Sequence, residues 1–166
     1  MNGSRAARKR LLLVEDDPGD VLLARESLGN LRVPLDLDVV EDGASALAFL
    51  RHEGAYRHAL RPDLILLDLN LPRKDGRDVL QAIKSDERLR AIPVVVLTTS
   101  KSESDIRTAY ELGANCYISK PPGLKEYESV MERLGDFWLN VARVPEPSVR
   151  HAQGTRTGGI GERGEA

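Results

Sequence analysis

The sequence predicts an α/β fold: a doubly wound, five-stranded parallel sheet with helices on both faces. Short apolar runs alternate five times with segments in which apolar residues recur at helical spacing. Some of these runs are apolar throughout, as strands are when helices cover both faces of a sheet. Strict alternation of strands and helices favours parallel strands joined by right-handed crossovers.

The first strand and helix show the pattern that the later units repeat. Residues 11–14 form a continuous apolar run that ends at Glu15. Asp17 and Pro18 follow, and they suit the cap and the first position of a helix. Apolar residues at helical spacing continue this helix until Gly29, where we expect it to stop.

The remaining elements follow from the same two patterns. Strands are predicted at residues 35–39, 64–67, 94–97 and 116–118, and helices at 43–53, about 79–83, 102–112 and 124–138. The second strand alternates apolar and acidic residues, which indicates a more exposed face. Either Ser102 or Ser104 can cap the fourth helix, and Gly113 ends it.

Composition divides the chain into a folded domain and two polar ends. We predict a flexible lead-in at residues 1–9, one domain at 10–144 and a disordered tail at 145–166, where glycine and proline dominate. About 25 residues after the last helix are too few for a DNA-binding domain, so we expect no DNA contact. No apolar run suits a signal peptide or a membrane span, and a single cysteine fits a reducing cytoplasm.

Polar residues at the strand ends carry the predicted chemistry. Ligands of an open parallel sheet bind outside the carboxyl ends of its strands. These ends supply Glu15 and Asp16, then Asp68, then Thr98, and finally Lys120. Carboxylates that converge in one pocket repel each other unless a cation neutralises them, and oxygen ligands favour Mg²⁺.

Together these groups match the needs of a phosphoryl-transfer site. Asp68 can act as the nucleophile, Thr98 can donate a hydrogen bond to a phosphoryl oxygen, and Lys120 can supply positive charge. Each residue alone has a more ordinary interpretation, such as a solvated acidic loop, a strand-end threonine or a surface lysine. The joint placement at separate strand ends is what favours the phosphoryl site.

Four stretches of the chain then resemble the receiver domain of two-component response regulators. They are LLVEDD at residues 12–17, PDLILLDLNLP at 62–72, PVVVLT at 93–98 and YISKP at 117–121. The resemblance extends over residues 10–140 and implies the flavodoxin-like receiver fold. Within the family, residues 16–20 and 136–138 look like the small stand-alone regulators that are paired with bacterial phytochromes.

The resemblance implies a role for each acidic residue of the site. Asp68 would be the phosphoacceptor that receives its phosphoryl group from a sensor histidine kinase. Glu15 and Asp16 would be the acidic metal pair, and the backbone carbonyl of Asn70 would complete the Mg²⁺ site together with Asp68. The first acidic position is often aspartate in the family, so Glu15 is a departure that favours a water-mediated contact.

The resemblance also implies a conformational switch. Thr98 and Lys120 would contact the phosphoryl group, and Tyr117 would turn inward when Thr98 moves. The peptide bond between Lys120 and Pro121 is usually cis in the family. Output would pass through a protein contact made by the receiver itself, and only self-catalysed phosphotransfer and autodephosphorylation would remain as enzymatic properties.

Three other functions would account for part of the same pattern. A dinucleotide-binding domain needs glycines after the first strand, where this chain has carboxylates. A hydrolase with an aspartyl-phosphate intermediate is disfavoured as well. By resemblance, such phosphatases need a second aspartate two positions after the nucleophile, and this chain has Asn70 there. A receiver that is never phosphorylated is disfavoured because each required group is present.

The last helix predicts an interaction surface. Apolar residues continue past its main stripe at Phe137, Trp138, Leu139 and Val141. Adjacent helical residues point about 100° apart, so one face cannot bury all four. We therefore expect a homodimer built on the last helix and its neighbours, since exposed apolar patches tend to mark interaction sites.

Overall fold

A computed structural model describes residues 8–146, which contain five parallel strands and five α-helices. The strands are β1 Lys9–Val14, β2 Leu35–Val40, β3 Leu64–Leu67, β4 Val94–Thr98 and β5 Cys116–Ser119. The helices are α1 Pro18–Gly29, α2 Gly43–Arg51, α3 Gly76–Ser85, α4 Glu103–Glu111 and α5 Leu124–Gly135. The strand order is β2-β1-β3-β4-β5, which confirms the predicted doubly wound sheet.

Two apolar layers hold the sheet between its helices. Successive strand residues point to opposite faces, so Ile65 and Leu67 enter one layer while Leu64 and Leu66 enter the other. Residues of α2, α3 and α4 fill the first layer, and residues of α1 and α5 fill the second. Because β3, β4 and the second part of β1, from Leu11 onward, are covered on both faces, their sequences are apolar almost throughout.

Local sequence explains most of the helix ends. Asp17 caps α1 by accepting a hydrogen bond from the Asp20 backbone N–H at 2.9 Å. Helix α2 ends at Arg51, two residues earlier than predicted, because His52 adopts the left-handed conformation with φ of 59°. A residue in the left-handed conformation commonly ends a helix, and glycine is the residue most often found at this position.

The end of the last helix differs from the prediction of one continuous helix to residue 138. Helix α5 ends at Gly135, and the chain continues as a π-helical stretch, Asp136–Val141. Gly135 packs tightly against the side chain of Leu31, in the turn after α1, since a Cβ at this position would lie 2.3 Å from the Cδ1 of Leu31.

Three further expectations concern the domain boundaries, membrane-spanning helices and one peptide bond. Most of the predicted lead-in and tail lies outside the described residues, so the domain boundaries stay predictions. Within residues 8–146, no helix has both the length and the apolar character needed to span a membrane. No peptide bond in that part of the chain is cis, so the expectation for Lys120 and Pro121 is wrong.

Candidate functional site

The ends of β1 and β3 place two carboxylates side by side. In the parallel register Val14 pairs with Leu67, so the next residue on each strand is Glu15 or Asp68. The backbone N–H of Asp68 donates to the carbonyl of Val14 at 3.1 Å, which extends the pairing by one residue. The strand ladder therefore fixes the positions of both acidic residues.

Glu15, Asp16 and Asp68 form an acidic cluster in which the ligand oxygens all lie within 4.8 Å of one another. Glu15 and Asp68 are buried, whereas Asp16 is exposed. Hard divalent cations prefer oxygen ligands and keep several waters, and an open cluster of three carboxylates suits such an ion. The structure thus brings together the three side chains predicted for the metal site.

Lys120 crosses from the end of β5 to this cluster. Its backbone N–H donates to the carbonyl of Thr98 at 2.7 Å. Its buried ammonium group donates to Glu15 Oε2 at 2.5 Å, to Asp20 Oδ2 at 2.7 Å and to Asp68 Oδ2 at 3.1 Å. Each of its three N–H donors therefore has a carboxylate acceptor.

The pKa values of the buried residues Glu15 and Lys120 both differ from their ordinary values. Burial raises the pKa of Glu15 to about 7, against the lowering effect of its hydrogen bond from Lys120. Burial alone would lower the pKa of Lys120, but its hydrogen bonds to Asp20 and Glu15 outweigh this and raise it. Lys120 therefore stays an ammonium group at neutral pH.

Thr98 lies at the end of β4 and is completely buried. Its hydroxyl oxygen has no hydrogen-bond partner among the described residues. A buried hydroxyl without a partner costs about 1–3 kcal/mol of stability. On the neighbouring strand, the second oxygen of Asp68, Oδ1, accepts from the backbone N–H of Asn70 at 3.1 Å.

The loop between β4 and α4 is tied to the rest of the domain by hydrogen bonds. The carbonyl of Ser100 accepts from the hydroxyl of Tyr117 at 3.0 Å and from that of Ser119 at 3.1 Å. The hydroxyl of Ser100 donates to Asp105, which also pairs with Arg77 at 2.6 Å. The half-buried ring of Tyr117 is thus held by the same loop that follows Thr98.

Helix α3 begins directly against the loop after Asp68. The backbone N–H of Gly76 donates to the carbonyl of Leu69 at 3.0 Å. A Cβ on Gly76 would lie 2.3 Å from the carbonyl oxygen of Asp68 and 2.5 Å from the Cα of Leu69. Only glycine lets the helix approach the site backbone this closely.

The structure also shows residues of the site that the sequence analysis missed. Asp20, in the first turn of α1, accepts a hydrogen bond from Lys120, and the sequence analysis assigned it no role in the site. The ion pair between Arg77 and Asp105 joins α3 to α4. No local pattern marks either contact, because the paired residues lie 100 and 28 positions apart.

Comparison with known proteins places this arrangement in a family. The family model for the response regulator receiver domain matches residues 11–132. The chain therefore belongs to the response regulator receiver family, which is a family of signalling proteins. Response regulator Rcp1 of Synechocystis sp. is 46% identical over 137 residues, which cover 82% of this chain and 93% of Rcp1.

Two solved structures are similar over most of the domain. The phosphorylated cyanobacterial phytochrome response regulator RcpA is 51% identical, with a TM-score of 0.82 over 84% of this chain and 100% of that one. The Mn²⁺-bound form of Rcp1 is 46% identical, with a TM-score of 0.81 over 83% of this chain and 99% of that one. These likenesses confirm the receiver fold and the resemblance to phytochrome response regulators.

Proposed function

We propose that the chain accepts a phosphoryl group on Asp68 from a sensor histidine kinase in a Mg²⁺-dependent reaction. One observation carries the proposal: the buried carboxylate of Asp68 shares an acidic cluster with Glu15 and Asp16 and is bonded to the ammonium of Lys120. The similar protein RcpA is a phytochrome response regulator, so a phytochrome is the kinase that this likeness favours.

The acidic cluster supports the metal requirement. Glu15, Asp16 and Asp68 would hold the ion, and the backbone carbonyl of Asn70 is the fourth proposed ligand. When bound, Mg²⁺ neutralises negative charge on the incoming phosphoryl group and on the carboxylates. Mg²⁺ is our choice among divalent ions, and the Mn²⁺-bound form of Rcp1 supports a divalent site of this kind.

The transfer itself needs a nucleophile and a neutralised phosphoryl group. A carboxylate oxygen of Asp68 forms a bond to phosphorus while the bond from phosphorus to the donor histidine nitrogen breaks, and that nitrogen keeps the electron pair. The ammonium of Lys120 already donates a hydrogen bond to Asp68 at 3.1 Å, so a short movement brings it to a phosphoryl oxygen. Water later attacks the same phosphorus and releases phosphate, which restores the carboxylate.

The buried hydroxyl of Thr98 supports its proposed role in the switch. The hydroxyl has no partner in the described residues, and a phosphoryl oxygen would supply one. Its movement would act on the loop at Ser100, whose carbonyl holds the hydroxyl of Tyr117. Phosphorylation would then shift the population between two arrangements of this loop and Tyr117.

Mass measurement of the intact protein tests the acceptor. After incubation with acetyl phosphate and Mg²⁺, the wild type should gain the mass of one phosphoryl group. Asp68→Asn should gain none, because an amide is a poor nucleophile. Omitting Mg²⁺ from the wild-type reaction is the matched control for the metal. Equal labelling of Asp68→Asn and wild type would remove Asp68 from the role.

The exposed apolar residues at the end of α5 support a homodimer. Phe137 and Val141 are 52% and 65% exposed, and the ring of Phe137 stands edge-on to the half-buried ring of Trp138 at 5.3 Å. Leu139 is buried in the domain, so the surplus apolar surface is narrower than the sequence suggested. We propose that this surface pairs with the same surface of a second copy.

Sedimentation at micromolar concentration tests the homodimer. The wild type should show a mass near twice 18.3 kDa. Phe137→Glu should return the protein to the monomer, because the pairing would bury a charge without a partner. Leu22 on α1 is similarly exposed, so Leu22→Glu is a control that should leave the mass unchanged. A monomeric wild type, with or without phosphorylation, would reject the dimer.

A further inference from the structure

Lys120 has three carboxylate acceptors, but they are not equivalent. Glu15 and Asp68 belong to the acidic cluster whose oxygens lie within 4.8 Å of one another. Asp20, the third acceptor, is outside that cluster and reaches Lys120 from the first turn of α1. A cation in the cluster would therefore compete with Lys120 for two of its acceptors and leave the third.

We propose that Asp20 is a positioning residue that holds Lys120 at the site when the metal ion takes Glu15 and Asp68. The inference rests on the function proposed above, in which these carboxylates bind Mg²⁺ and Asp68 accepts the phosphoryl group. Asp20 itself does not contact the reacting atoms. It acts through the ammonium of Lys120, which lies 2.7 Å from its Oδ2.

The surroundings of Asp20 suit this role. Its backbone is fixed, because its N–H donates to the capping carboxylate of Asp17 at 2.9 Å. Its side chain is 30% exposed and lines a cavity of about 480 Å³ together with Lys120, Thr99 and Pro121. The cavity gives Lys120 room to move from the carboxylates toward an incoming group while it keeps its bond to Asp20.

A simpler interpretation is that Asp20 only stabilises the start of α1, where acidic residues interact favourably with the helix dipole. Such a role depends on the charge of Asp20 and not on Lys120. The two interpretations therefore differ in one measurable respect. Positioning predicts that the effect of removing the Asp20 charge depends on the presence of Lys120.

A double-mutant cycle on Mg²⁺ affinity, measured by calorimetry, tests this coupling. In Asp20→Asn, Lys120 keeps only Glu15 and Asp68 as charged acceptors and competes with the ion for them. We therefore expect the Mg²⁺ affinity to fall about fivefold. In a Lys120→Met background, the same change should lower the affinity no more than Asp17→Asn does. Asp17→Asn is the matched control, because it removes a nearby charge and asparagine still caps the helix.

Phosphoryl labelling provides a second readout. With acetyl phosphate and saturating Mg²⁺, Asp20→Asn should be labelled about fivefold more slowly than wild type, because Lys120 is held less firmly. Asp20→Glu keeps the charge and has space in the cavity, so its rate should return close to that of wild type.

Two results would overturn the role of Asp20. One is a loss of Mg²⁺ affinity that is equal with and without Lys120, and the other is an affinity that Asp20→Asn leaves unchanged. These results are separate from a failure of the proposed function, which would show as a wild type that acetyl phosphate does not label. The calorimetric cycle needs no phosphorylation, so it tests Asp20 in either case.

Discussion

Replacing Gly76 by alanine should disturb both the stability of the domain and the position of Asp68. The added Cβ would lie 2.3 Å from the carbonyl oxygen of Asp68 and 2.5 Å from the Cα of Leu69. Both atoms belong to the backbone, so no side chain can rotate away. Relief of the overlap needs a shift of roughly 1 Å between the start of α3 and the loop after β3.

The magnitude follows from two opposing effects. Overpacking of this kind typically costs about 1–3 kcal/mol of unfolding free energy. Replacing glycine restricts the unfolded chain and returns about 0.4–1 kcal/mol. The net loss should be about 1–2 kcal/mol, which lowers the Tm of a domain of this size by about 5 °C.

Gly29→Ala is the matched control, because the same chemical change is made where space is free. Gly29 is the last residue of α1, and a Cβ on it would meet no atom within 4 Å. Alanine is favoured over glycine in a helix by about 0.5–1 kcal/mol, so this variant should be slightly more stable than wild type.

Thermal unfolding and intact mass measurement check the two parts of this prediction. Gly76→Ala should unfold at a lower temperature and take up a phosphoryl group from acetyl phosphate more slowly, since Asp68 is displaced. Gly29→Ala should unfold at a slightly higher temperature than wild type and should take up the phosphoryl group at the wild-type rate. A Gly76→Ala variant as stable as wild type would refute the packing argument.

Two further changes test single features of the structure. Thr98→Val keeps the buried volume and removes a hydroxyl that has no hydrogen-bond partner within residues 8–146, so the unphosphorylated protein should gain about 1 kcal/mol of unfolding free energy and melt a few degrees higher. In this variant, hydrogen exchange in the loop at Ser100 should no longer respond to phosphorylation. His52→Gly relieves a left-handed residue with φ of 59° and should stabilise the domain by about 1 kcal/mol in denaturant unfolding, while phosphoryl labelling stays at the wild-type rate.

The strand ends could be predicted from the sequence because hydrophobic burial fixes them. Strands such as Leu64–Leu67 are covered on both faces, so their apolar runs stop where the chain leaves the sheet. The first polar residue after such a run then lies at the carboxyl edge, as Asp68 does. Parallel register brings the other strand ends to the same edge, and Glu15, Asp16 and Lys120 meet Asp68 there.

Contacts between distant segments could not be predicted in the same way. Asp20 and Lys120 are 100 residues apart, and no periodicity links a helix start to the end of the fifth strand. The early end of α2 depends on one backbone conformation at His52, which helix propensity does not reveal. That the hydroxyl of Thr98 has no hydrogen-bond partner among the described residues depends on the packing of the whole site, which the sequence of β4 alone does not reveal.

The charges of the site favour a bound cation, and under the proposed function this would set the order of metal binding and phosphorylation. When all are ionised, the four carboxylates of Glu15, Asp16, Asp20 and Asp68 exceed the single charge of Lys120 by three negative charges. A divalent ion would reduce this excess to one, so the approach of an anionic phosphoryl group becomes less costly only after the ion binds. Under the proposed function, the ion would release Lys120 from Glu15 and Asp68, and a phosphoryl oxygen would replace these two acceptors. The hydroxyl of Thr98, which has no hydrogen-bond partner within residues 8–146, would gain an acceptor from the same phosphoryl group. Phosphorylation would therefore act on Lys120 and Thr98 together, and only after the ion has bound.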